Sequence, residues 1–171
     1  MIKGFTVVIL GTGCTVAGLL QTWNLWERVR SIRDLRELLQ LISTEILYGR
    51  CELKSIFIKG YQQGPVPLRF ICQRVAESMS GERWDSFSLL WTDAWSSHFL
   101  KQKRWEERDV WFRMGRQLGH GGVEQQAQIL KQCEKELERL EAAALVEFQT
   151  RGKMYGALGL CTGLFLAVLL V

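Results

Sequence analysis

Charge is missing from both ends of this 171-residue chain, and that limits what it can fold into more than any other feature. The closing stretch KMYGALGLCTGLFLAVLLV, at 153–171, has no charged side chain after Lys153. With a rise of ~1.5 Å per residue, a helix over 154–171 is roughly 27 Å long, close to the ~30 Å hydrocarbon core of a bilayer. An apolar helix packed into a water-soluble domain normally keeps a polar face, and 154–171 has no periodic polar residues to form one. The stretch 4–26, centred on FTVVILGTGCTVAGLL, is also uncharged. The expectation is an uncleaved transmembrane helix at each end, 4–26 and 153–171, around a charged middle domain, 27–152.

Two other readings of the first stretch compete with the anchor. Lys3 before an apolar run is how a secretory signal begins, but no small-x-small site precedes a polar run here, and the helical pattern continues past Trp26. A lipoprotein signal ending at Cys14 wants a large aliphatic residue where Gly11 stands. Arg28, Arg30, Arg33 and Arg36 follow the first span, and Arg151 and Lys153 precede the second. By the positive-inside rule the middle domain is then cytoplasmic, with both termini outside. A net charge of +4 is too small to argue for nucleic acid. Five scattered cysteines (Cys14, Cys51, Cys72, Cys133 and Cys161) form no CxxC or Cys/His cluster, so neither a zinc site nor a disulfide framework is expected.

The middle domain reads as helix throughout. Val29, Ile32, Leu35, Leu39, Ile42 and Ile46 recur at steps of three and four, one stripe on a helix that reaches about Gly49. A short amphipathic segment, 53–58, follows and ends before Gly60. Both prolines lie in GPVP at 64–67, the strongest punctuation in the chain. A helix from Pro67 should turn Leu68, Ile71, Cys72, Val75 and Met79 inward and stop at Ser80 and Gly81. Trp84, Phe87, Trp91, Ala94, Trp95, His98 and Phe99 make an aromatic helix, and Trp105, Trp111 and Phe112 carry the aromatics into the next. Rings beside Arg and Lys can stack on single-stranded nucleic acid, but at helical spacing core packing is the preferred reading. After LGHGG at 118–122 a long helix points Ile129, Leu130, Cys133, Leu137, Leu140 and Ala144 inward and Glu134, Glu138 and Glu141 outward. The fold class is all-α: a cytoplasmic bundle of about five or six helices, flanked by transmembrane helices.

Reactive groups are few. Neither His98 nor His120 has metal-ligand company, and HExxH and GxxxxGK[ST] are both absent. No enzyme, cofactor or metal is expected. LGHGG before a helix could hold an anion at the helix N-terminus, although a helix-helix turn accounts for it as well. Gly156, Gly159 and Gly163 in the second span include a small-xxx-small pair suited to close helix packing.

Three segments together resemble the stage III sporulation protein AB family: RDLRELLQLISTEILYGRCEL at 33–53, LGHGGVEQQAQILKQC at 118–133 and GKMYGALGLCTGLFLAVLL at 152–170. The first has the leucine-rich helix leading to Glu-Ile-x-Tyr-Gly, and the last has Lys-Met-Tyr-x-x-Leu-Gly before the terminal span. Two departures are Glu52-Leu53 where the family usually has Pro-Leu, and His120-Gly121-Gly122 in place of a more polar turn. The resemblance implies a middle domain similar to the type II secretion F-type platform domain. It also implies membership of a membrane complex in the mother cell of an endospore former, at the membrane around the forespore. Implied partners are membrane lipid, the other stage III sporulation membrane-complex proteins and a companion cytoplasmic ATPase, without nucleic acid. Candidate contact residues are the turn and first helical residues Gly119, His120, Gly121, Gly122, Gln125 and Gln126, and the acidic strip Glu134, Glu138 and Glu141. A membrane-anchored regulator or scaffold holding a soluble partner is the alternative.

Overall fold

The computed structural model describes residues 2–49, 52–81, 86–99, 105–118, 122–154, 157–158 and 161; within these, the side chains of 2–15, 17, 97–99, 105 and 123 are not described. The described secondary structure is helical: α1 (Ile2–Thr44), a π turn (Glu45–Gly49), α2 (Leu53–Gln63), α3 (Val66–Ser78), α4 (Phe87–Phe99), α5 (Trp105–Gln117), α6 (Val123–Glu147) and a second π turn (Phe148–Gly152). The chain divides into two units, one of Ile32–Leu140 and one of Met1–Ser31 with Glu141–Val171. Helices α1 and α6 each contribute to both. Among the described residues no helix is long and apolar enough to cross a membrane.

The unit Ile32–Leu140 is a helical bundle whose core follows the apolar periodicity. Ile32, Leu35, Leu39, Ile42 and Ile46 are buried as the spacing predicts, and Leu38 joins them. The segment expected to end before Gly60 instead continues through it to Gln63. Gly60 is buried, and a Cβ there would lie 3.1 Å from Cys72 Sγ and 3.5 Å from Leu38 Cδ1. The glycine lets three helices approach closely rather than breaking one. The stop comes at Gly64, whose N–H donates to the Gly60 carbonyl (2.9 Å), and whose own carbonyl accepts from Arg69 Nε (2.9 Å). Pro65 precedes α3 with φ −55° and ψ 133°, and Pro67 occupies its first turn, where a missing N–H costs nothing. Leu68, Ile71, Cys72 and Val75 are buried. Met79, expected inward, is half-exposed because α3 ends at Ser78 and Met79 is its C-cap.

The aromatic residues of α4 and α5 fill the centre of this unit. Phe87, Trp91, Ala94 and Trp95 are buried on one face of α4, and Val110, Trp111 and Met114 on one face of α5. The Trp91 ring lies 5.4 Å from Trp95, 5.6 Å from Trp111 and 5.7 Å from Phe57, centroid to centroid. Its Nε1–H donates to the Trp111 carbonyl at 3.1 Å. Gly115 sits against the Trp91 indole, and a Cβ there would overlap the ring. Stacking on nucleic-acid bases needs an exposed ring face, and Trp91, Trp95 and Trp111 have no surface open. The side chains of Trp84, His98, Phe99 and Trp105 lie outside the described residues.

Candidate functional site

Helix α6 begins at Val123 with Glu124 in its first turn, where a carboxylate complements the positive end of the helix dipole. The Gly122 carbonyl accepts the first helical hydrogen bond, from Gln126 N (3.1 Å). Gly122, Glu124 and Gln125 are exposed and Gln126 is half-buried. A Cβ at Gly122 would meet nothing within 4 Å. Gly119, His120 and Gly121 lie outside the described residues.

The acidic strip is not what the sequence suggests. Glu138 is exposed and Glu134 is half-buried, its carboxylate accepting from Gln40 Nε2 at 3.1 Å. Glu141 is buried, only 8% exposed. At about 100° per residue, Glu141 lies about 40° from Leu137 and about 60° from Ala144, both buried, so it belongs to the edge of the inner face. Residues seven apart drift toward the buried stripe, and the expectation that all three glutamates face outward is corrected for Glu141.

Cys72 and Cys133 are buried free thiols. Burial pushes Cys72 up to about 12 and Cys133, with the Glu136 charge adding to burial, up to about 11. Such thiols are poor nucleophiles at neutral pH. Among the described residues no group of three or more His, Cys, Asp or Glu could hold a metal ion.

The unit Met1–Ser31 with Glu141–Val171 has a different surface. Val16, Leu19, Leu20 and Trp23, at i, i+3, i+4 and i+7, are all exposed, Trp23 by 67%. Val146 near the end of α6, and Met154 and Leu158 beyond it, are exposed as well. Three contacts at successive levels join its two stretches of chain. The Thr22 hydroxyl lies 3.0 Å from the Gly18 carbonyl and 3.3 Å from that of Gly152, one O–H shared between two acceptors. Trp26 packs on Phe148 with centroids 5.4 Å apart. Arg28 Nη1 donates to Glu147 Oε2, and Arg151 Nη1 to Glu147 Oε1, both at 2.9 Å. Gly156, Gly159 and Gly163, expected to pack helices together, lie outside the described residues. Sequence reasoning missed Thr22 and Gly152. A lone Thr and a lone Gly 130 positions apart carry no pattern.

A family model described as stage III sporulation protein AB matches residues 3–171. The chain is also 29% identical over 176 residues to stage III sporulation protein AB of Bacillus subtilis (strain 168), with all of both chains covered. No solved structure matches it.

Proposed function

The chain belongs to the stage III sporulation protein AB family, which gives it a role in sporulation, and we propose that it is a non-catalytic membrane platform there. In this reading 4–26 and 153–171 lie in the mother-cell membrane around the forespore, and 27–152 is a cytoplasmic domain. It joins other stage III sporulation membrane-complex proteins in a secretion-like channel and docks a companion ATPase.

The observation that carries the membrane part is the exposed stripe of Val16, Leu19, Leu20 and Trp23. Fully burying a large apolar side chain gains about 1.5–3 kcal/mol, and contiguous exposed apolar surface marks contact with a membrane or another protein. The first turn of α6, with Gln125 at its surface, is the proposed docking point for the ATPase.

A photocrosslinking residue at Gln125 of the full-length protein, irradiated in sporulating cells and read by mass spectrometry, tests the docking. An ATPase adduct supports the platform. A different soluble partner favours the anchored regulator or scaffold, and adducts only to this chain leave neither. Extraction of the protein from membranes by alkaline carbonate would remove the two spans.

A further inference from the structure

We propose that the unit Met1–Ser31 with Glu141–Val171 carries a cationic rim that selects anionic phospholipid headgroups beside Trp23 and Trp26. This rests on the membrane reading above and adds the chemistry of the lipid.

The three contacts described above set the two stretches of this unit in register. Thr22 is level with Gly152, Trp26 with Phe148 and Arg28 with Glu147. On α1 the exposed apolar face ends at Trp23 and Trp26, and charge begins at Glu27. On the other stretch charge ends at Lys153, and exposed Met154 and Leu158 follow. By that register Arg151 and Lys153 stand beside Trp23 and Gln21, up to about 9 Å past the first charge of α1, and such long basic side chains reach back toward headgroups while their stems cover apolar surface. Tryptophan is the side chain favoured at that level, because its ring is amphipathic.

The charge at this boundary is unbalanced. Residues 22–31 and 147–154 hold four cations, Arg28, Arg30, Arg151 and Lys153, and two carboxylates, Glu27 and Glu147. Arg28 and Arg151 share the single Glu147 carboxylate. Arg30 and Lys153 are exposed. Cations near a membrane surface favour anionic lipid by about 1 kcal/mol each, roughly fivefold per charge. A neutral bilayer would satisfy the apolar stripe but give the excess cations no counter-charge.

The test reconstitutes the full-length protein into phosphatidylcholine vesicles containing phosphatidylglycerol and compares tryptophan quenching when one lipid or the other carries brominated chains. Trp23→Phe identifies the share of the signal that comes from Trp23. The expected result is stronger quenching by brominated phosphatidylglycerol than by brominated phosphatidylcholine at equal content. The double variant R30Q/K153Q, which leaves the Arg28–Glu147–Arg151 group in place, should reduce that preference severalfold. K131Q/K135Q removes two exposed charges from α6 in the bundle and should leave the preference unchanged. Equal quenching by both lipids, or an equal loss in both double variants, overturns the rim while the membrane reading stands. No quenching by either lipid overturns the membrane reading itself.

Discussion

Tryptophan has opposite fates in the two units. In Ile32–Leu140, Trp91, Trp95 and Trp111 have no exposed surface and touch one another. In the other unit Trp23 is largely exposed and Trp26 partly so, resting one side on Phe148. The difference lies in what stands one turn away. Trp91 has Phe87 and Trp95 at i−4 and i+4 and a glycine facing its ring from α5. Trp23 has Leu19 and Leu20 one turn before it, exposed like itself. An apolar stripe with partners becomes a core, and one without partners among the described residues becomes a surface looking for an apolar medium.

The largest test of that contrast is truncation of the rings. Trp91→Ala should cost about 3–5 kcal/mol of unfolding free energy, measured by denaturant titration of the full-length chain in detergent. Trp23→Ala should stay within about 0.5 kcal/mol under the same conditions. Equal losses would break the distinction between the units. Next comes Gly115→Ala. Alanine is the better helix former by about 1 kcal/mol, but the Cβ overlaps the Trp91 ring, and overpacking of about 1–3 kcal/mol should give a net loss.

The thiols sharpen the picture of a dry bundle. The folded values for Cys72 and Cys133, about 12 and about 11, lie above the ordinary thiol value. Their contribution to stability is therefore complete below about pH 8.5 and is lost as pH rises toward the folded values. Each should add a downward slope of up to about 1.4 kcal/mol per pH unit across that window. The slope should become shallower in Cys72→Ala, and a slope unchanged by that substitution would place water at Cys72. Among the charged clusters a small effect is expected at Arg113. It bridges Asp109 at 2.7 Å and Glu136 at 3.4 Å, and these raise its already high affinity for the proton. Its side chain is 42% exposed, so Arg113→Gln should cost less than about 1 kcal/mol. A loss as large as that of Arg28→Gln, whose side chain is 13% exposed, would erase the difference between the two charged clusters.

Much of the bundle was legible because its apolar residues keep the helical period. The stripe from Val29 to Ile46, the GPVP break and the inner face of α6 through Leu130, Cys133, Leu137, Leu140 and Ala144 could all be read from spacing. Gly60 misled because a glycine that stops a helix and a glycine that admits a neighbouring helix have the same letter, and only the Cys72 and Leu38 side chains beside it separate them. Glu141 misled because its charge outweighed its position one turn after buried Leu137, at the edge of the inner face. Of the proposed contact turn, the exposure of Gly122 and Gln125 can be read from the structure. The Thr22 contact to a backbone carbonyl had no sequence signal, since a main-chain acceptor is present at every residue.

The second π turn, Phe148–Gly152, bears on the angular phase of Met154 and Leu158. A π turn takes up about one residue more than the α geometry around it. In an unbroken α helix, Met154 and Leu158 would point about 80° and 120° away from Val146. With the extra residue absorbed, all three exposed side chains fall along one line. Deleting a single residue such as Thr150 would remove the need for the π turn and keep that line, because Met154 and Leu158 would then follow Val146 at seven and eleven residues of regular helix, within about 20° of it.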